Sequence, residues 1–118
     1  MYSSFLHIAG ILNEQLSVYP LLYGSLGLEK RLSVDLNADD IDVLIPEKYI
    51  KSEWEKLIHI MNAEGYCLVD EHEFGNGTVT IAYASLESLT SFTRVDISSI
   101  SFIEDDNNRF LLFELSDY

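Results

Sequence analysis

The sequence predicts an α+β domain in which helices pack on one face of a mixed β-sheet. Three observations support this prediction. Two stretches repeat apolar residues at helical spacing, short apolar runs lie between them, and an Asn-Gly turn joins two further strands. The 118 residues correspond to one domain, 1–118, and a hydrophobic share of 47% is enough for an ordinary core.

The amino-terminal half is predicted as helix, strand, loop and strand. Apolar residues over 5–16 recur at helical spacing after a serine cap. The run 18–23 predicts a buried strand, residues 24–39 a loop with one helical turn around Leu28–Leu32, and residues 40–45 a second strand. The second strand alternates between two faces, one with Ile41, Val43 and Ile45 and the other with Asp40, Asp42 and Leu44.

The carboxyl-terminal half is predicted as helix, hairpin, helix and strand. The hairpin is indicated by Gly75-Asn76-Gly77, because Asn-Gly favours a tight turn. The acidic run 104–108 is expected to be a solvated turn. The predicted elements are a helix over 47–64, strands over 66–74 and 78–84, a helix over 85–92 and a strand over 109–115.

Charge and cysteine content restrict the classes of function. A net charge of −13 repels phosphate backbones, so we expect no stable binding of nucleic acid. The single cysteine, Cys67, excludes an intrachain disulfide, and we expect it to be a buried, inert thiol. With no signal-peptide pattern and no long apolar run, we expect a cytoplasmic protein that does not enter a membrane.

The acidic pair Asp40 and Asp42 is the first feature that indicates chemistry. Residues two apart on a strand point to the same side, so both carboxylates lie beside an otherwise apolar strand. They repel each other unless a cation neutralises them. Mg²⁺ prefers carboxylate oxygens and commonly takes substrate phosphates as further ligands, so the pair predicts a site for Mg²⁺ or Mn²⁺.

The turn Gly24-Ser25 is the second feature. It follows a predicted strand, and glycine permits close approach of the backbone to a ligand. Backbone N–H groups and the serine hydroxyl can cradle a phosphate there, and Lys30 and Arg31 are near enough in sequence to add positive charge. The two features together predict a metal-bridged phosphate site.

Leu22-Tyr23-Gly24-Ser25 followed by Asp40-Ile41-Asp42-Val43-Leu44 resembles the Gly-Ser and Asp-x-Asp signature of the nucleotidyltransferase superfamily, which includes DNA polymerase beta and the minimal nucleotidyltransferases. The resemblance covers about residues 5–84. It implies that Gly24 and Ser25 bind a nucleoside triphosphate and that Asp40 and Asp42 hold Mg²⁺. It also implies a third acid on a later strand, a partner protein that supplies the acceptor, and a shortened version of a longer relative.

The third acid is not obvious, because the predicted strand 78–84 has none. A two-residue turn at Asn76-Gly77 would pair Glu73 with Thr80 and Glu71 with Ala82, on one face of the hairpin. We therefore hypothesise that Glu73 takes the catalytic role of the missing acid. Asp96 is a second candidate, and an inactive domain without any third acid is the remaining alternative.

The sequence thus leads to one principal hypothesis and two alternatives. The first is transfer of a nucleoside monophosphate from a nucleoside triphosphate to a hydroxyl acceptor. The second is a catalytically inactive regulatory or antitoxin-type binding module of the same fold. The third is an acidic interaction domain unrelated to nucleotides.

Overall fold

A single mixed sheet forms the centre of the computed structural model, which describes residues 1–88 and 100–113. In chain order its strands are β1 (Leu21–Tyr23), β2 (Ile41–Ile45), β3 (Cys67–Asp70), β4 (Glu73–Gly75), β5 (Thr80–Ser85), β6 (Ile100–Asp105) and β7 (Asn108–Phe113). Their order across the sheet is β3-β4-β5-β2-β1-β7-β6. β1 runs antiparallel to β2 and parallel to β7, whereas β2 runs parallel to β5. The strands with the Gly-Ser turn and the acidic pair are therefore central neighbours.

Helices cover one face of this sheet, as predicted. The described elements are α1 (Tyr2–Leu16), α2 (Gly24–Leu32), a 3₁₀ turn (Glu47–Tyr49) and α3 (Trp54–Ala63). Phe5 of α1, Leu26 of α2 and Leu57 of α3 are buried in one cluster with side chains from the same side of the sheet. The ring of Phe5 meets Phe110 of β7 edge-on, with centroids 5.0 Å apart. Burial of these apolar surfaces supplies most of the driving force for folding.

The alternation predicted for β2 is confirmed over Ile41–Ile45, whereas Asp40, predicted in the same strand, lies in the bend before it. Ile41, Val43 and Ile45 are buried against the helices. Leu44 is buried on the opposite face beside Leu21. Asp42 faces that same opposite side and is partly exposed. The strand therefore separates an apolar face from the face that carries the acid.

Two helical predictions need correction. Residues 24–32 form a helix rather than a loop with one turn, because Leu26 is buried in the core and Gly27 lets the helix approach the Leu22 carbonyl closely. The helix predicted over 47–64 begins instead as the 3₁₀ turn and continues as α3 only from Trp54.

The predicted pairing of the hairpin is wrong by two residues. Phe74 pairs with Ile81 and Glu73 with Ala82, not with Val79 and Thr80. The cause is the side chain of Asn76, whose Oδ1 accepts the N–H groups of both Thr78 and Val79 at 2.9 and 2.7 Å. This arrangement closes a four-residue loop, 76–79, instead of a two-residue turn. A shift of two preserves the face, so Glu73 still lies on the predicted side.

The remaining strands differ in extent. The predicted strand 66–74 is broken by a turn at Glu71-His72 into β3 and β4, and Cys67 is exposed rather than buried. The sequence patterns do not predict β6. Its last two residues, Glu104 and Asp105, belong to the acidic run 104–108, which was expected to be a turn. Only Asp106 and Asn107 form the turn to β7, with φ of 49° and 64°.

Three predictions extend beyond the residues that the structure describes. Residues 86–88 of the helix predicted over 85–92 are helical, and the rest of it and Asp96 lie outside the described residues. The strand predicted over 109–115 corresponds to β7, and its last two residues also lie outside them. Among the described helices, none combines the length and the apolar character that a membrane crossing requires.

Candidate functional site

One row of side chains crosses four neighbouring strands on the face opposite the helices. Glu73 of β4 pairs with Ala82 of β5, Ala82 pairs with Asp42 of β2, and Asp42 pairs with Tyr23 of β1. Directly paired residues point to the same side of a sheet. Tyr23, Asp42 and Glu73 therefore border one surface, with the small side chain of Ala82 between the two acids.

The Gly-Ser turn comes into direct contact with this row at Asp42. Gly24 has a φ of +68°, in the left-handed region that favours glycine. A Cβ atom at Gly24 would collide with Oδ2 of Asp42 and press on its Cβ and Cγ, at 3.2 Å each. The turn needs glycine both for its backbone conformation and for the approach of this carboxylate.

Helix α2 starts at the same point. Its first residue is Gly24, Ser25 is exposed in its first turn, and no side chain caps its start in the described part of the chain. The first N–H groups of a helix have no partner within the helix, and the helix dipole places partial positive charge there. This end of α2 can therefore accept an anionic group next to Asp42.

Acidic side chains lie next to the Gly24-Ser25 turn, at the start of β2. Asp40 lies exposed in the bend before β2, and Asp42 is partly buried. Partial burial, followed by the charges of Asp40 and Glu73, raises the pKa of Asp42. The three acids thus interact electrostatically, and a bound cation would relieve their repulsion.

The acids do not all lie at metal-ligand distance from one another. Within residues 1–88 and 100–113, no group of three or more His, Cys, Asp or Glu side chains is arranged to hold a metal ion. Glu73 and Asp42 are separated by the width of β5, which places their backbones about 10 Å apart. Mg²⁺ is commonly held by one or two carboxylates plus substrate phosphates, so Asp40 and Asp42 as its ligands stay a prediction.

The basic residues of α2 point elsewhere. The ammonium of Lys30 lies 3.5 Å from Oδ2 of Asp105 and 4.5 Å from the centre of the Tyr2 ring. Arg31 donates to the backbone carbonyls of Leu112 and Phe113. Both side chains fasten α2 to the rest of the fold. Lys30 as a phosphate ligand stays a prediction, and that role requires its side chain to leave Asp105.

Tyr23 is a neighbour of Asp42 that the sequence motifs do not single out as a site residue. It is exposed, and its ring meets Phe113 edge-on with centroids 6.0 Å apart. Alternation along Leu21-Leu22-Tyr23 is the signal that could have found it, because it sets Tyr23 on the face opposite Leu22. The second acid candidate, Asp96, belongs to the residues that the structure does not describe.

Fold and site together define an α+β protein whose central antiparallel strands join a glycine turn to an acidic pair. The chain is 40% identical over 120 residues to a protein of Bacillus subtilis (strain 168) described as "Uncharacterized protein YnaI". The match covers 100% of this chain and 77% of that protein, so the chain belongs to the same family as YnaI. No family model and no solved structure matches the chain.

Substitution of Gly24 by alanine tests the contact with Asp42. We expect Gly24→Ala to lower the free energy of unfolding by about 1–2 kcal/mol through its left-handed backbone, and further through displacement of the Asp42 carboxylate. The control is Gly77→Ala, where φ is +88° but an added Cβ meets nothing within 4 Å. Urea denaturation should show the larger loss for Gly24→Ala, and equal losses would contradict the contact.

Neutralisation of Asp42 tests the electrostatic conflict. The raised pKa means that the folded protein holds this proton more tightly than the unfolded chain, so ionised Asp42 lowers stability at neutral pH. Asp42→Asn should therefore raise the free energy of unfolding at pH 7. The gain should shrink as pH falls through the raised pKa and vanish below the ordinary value of 3.8.

Urea denaturation over a series of pH values measures this effect. Asp106→Asn, a change of equal charge in the exposed β6–β7 turn, serves as the control because asparagine tolerates its positive φ. A loss of stability in Asp42→Asn at neutral pH would show that Asp42 stabilises the fold and would overturn the interpretation.

Proposed function

We propose that this protein is a nucleotidyltransferase-type domain that binds a nucleoside triphosphate with Mg²⁺ and transfers a nucleoside monophosphate to a hydroxyl acceptor. The observation that supports this most directly is the contact between Gly24, at the start of α2, and the carboxylate of Asp42. A cradle for phosphate and a ligand for a divalent cation are thereby adjacent. That adjacency is what a metal-bound triphosphate requires.

In this proposal the start of α2 holds the phosphates. The N–H groups of its first turn and the hydroxyl of Ser25 donate to phosphate oxygens. Asp40 and Asp42 hold the Mg²⁺, which supplies neutralisation of the phosphate charge. Since Asp40 and Asp42 would then no longer repel each other, ligand binding also removes a cost that the free protein carries.

Glu73 has the role of base in this proposal. Its side chain is on the same face as Ala82 and Asp42, and it would accept the proton of the acceptor hydroxyl. The hydroxyl oxygen then attacks the α-phosphorus, the bond from that phosphorus to the bridging oxygen breaks, and pyrophosphate leaves. Binding and orientation by the protein account for most of such catalysis.

A cytoplasmic location belongs to the same proposal. Nucleoside triphosphates are substrates of the cytoplasm, and Cys67 is a free, exposed thiol, which suits a reducing compartment.

Titration calorimetry with each of the four nucleoside triphosphates tests the binding step. We expect at least one of them to bind in the presence of Mg²⁺, and Asp42→Asn to weaken that binding by at least about tenfold because it removes a metal ligand. Asp106→Asn, which changes the net charge equally, should bind as the wild type does. Absence of binding for all four nucleotides, or equal binding by both variants, would contradict the proposal.

Ala82 favours a second candidate, a catalytically inactive module of the same fold that regulates or neutralises a partner. It is the direct neighbour of Asp42 on β5, and it lacks the carboxylate that would bring a third ligand within reach of the pair.

The substitution Ala82→Asp separates the two candidates. In an inactive module we expect it to tighten Mg²⁺ binding by at least about tenfold and to start pyrophosphate release from a wild type that shows none. The matched control is Ala84→Asp, which lies on the same face but pairs with Leu44 instead of Asp42. Pyrophosphate release by the wild type itself would instead support the active enzyme and exclude the module.

A further inference from the structure

An exposed apolar surface follows the candidate site along the chain. Leu28, Leu32, Val34 and Leu36 are 42, 50, 47 and 45% exposed, and we call them the α2 exit surface. Leu28 and Leu32 are one turn apart on the same side of α2, and Val34 and Leu36 follow in the connection to β2. Single exposed aliphatic residues are ordinary, whereas four within residues 28–36 form a candidate interaction surface.

The backbone beneath this surface is held in one conformation. A carboxylate oxygen of Glu29 accepts the N–H groups of Leu36 and Ala38, both at 2.9 Å. The Glu29 carbonyl accepts the N–H of Val34 at 3.2 Å, and the Asp35 carboxylate accepts that of Asn37 at 2.8 Å. A connection without regular structure is thus fixed by its own polar groups while its apolar side chains face solvent. Preorganisation of this kind lowers the entropy cost of binding.

The charged side chains differ between α2 and the connection that follows it. Lys30 and Arg31 are the neighbouring cations, and they are engaged with Asp105 and with the carbonyls of β7. The exposed charged side chains of the connection are Asp35, Asp39 and Asp40. The surface therefore offers apolar side chains followed by a connection whose charged residues are all acidic.

We propose that the α2 exit surface binds a cationic amphipathic segment of a partner protein. Leucine-like side chains of the partner cover the four aliphatic residues, and its basic side chains meet Asp35 and Asp39. A second copy of this chain is disfavoured, because each copy carries a net charge of −13 and would bring acids against acids. An anionic membrane is disfavoured for the same reason. The proposal does not depend on nucleotide binding.

A labelled amphipathic helical peptide of leucine and lysine is the probe for this chemistry, with fluorescence anisotropy as the measurement. The test variant is Leu28→Gln/Leu32→Gln/Val34→Thr/Leu36→Gln, with the single Leu32→Gln as a milder form. The control is Leu68→Gln/Val69→Thr on β3, where the two side chains are 48 and 59% exposed. Because all the substituted residues are exposed, each variant should keep the thermal midpoint of the wild type within a few degrees.

We expect the quadruple variant to bind the peptide at least about tenfold more weakly, Leu32→Gln to lie between it and the wild type, and the control to bind as the wild type does. A leucine–glutamate peptide should not bind.

Equal binding of the peptide by the quadruple and control variants would show that only general charge attraction is at work, and it would overturn the proposal. A wild-type dimer that the quadruple variant abolishes, or binding to anionic vesicles, would overturn it in favour of another occupant. The quadruple variant should bind nucleoside triphosphates as the wild type does. A loss of peptide binding alone therefore concerns this proposal and not the proposed function.

Discussion

The contact between Gly24 and the Asp42 carboxylate is the constraint on which the site depends. It exists because β1 and β2 are antiparallel neighbours, so that the end of one strand and the beginning of the other meet at the Tyr23–Asp42 pair. Directly after that pair the chain bends through a left-handed residue into α2. Any side chain at Gly24 would separate the helix start from the acid. Strand pairing, the glycine and the helix therefore act together, and none of them alone would form a site.

This arrangement is unfavourable for the free protein. Asp42 is partly buried beside two other acids, and its pKa is raised in consequence. Local conflicts of this type are expected where a protein binds something, because the ligand then resolves them. The cation in the proposed function would relieve the part of this conflict that arises from the charges of Asp40 and Glu73.

Sequence reasoning succeeded where a local pattern decided the structure and failed where distant contacts did. Alternation in β2 placed Asp42 on the correct face, and the Gly-Ser turn was found from its position after an apolar run. The position of Glu73 opposite Ala82 depended on the loop built by the Asn76 side chain, and no periodicity encodes that loop. Lys30 is adjacent in sequence to the phosphate cradle, yet it turns to Asp105, a residue far along the chain that only the sheet order brings near.

Helix α2 connects the two proposed surfaces, so the contacts that hold α2 in place affect both of them. Its first residue contacts Asp42, its exposed leucines begin the α2 exit surface, and Glu29 holds the connection that returns to Asp40. Lys30 contacts Tyr2 of α1 and Asp105 of β6, and Arg31 donates to carbonyls of β7, so that α2 is tied to three other elements. Since α2 carries both the proposed phosphate-binding start and the first half of the α2 exit surface, a change in its position would alter both proposed contacts together.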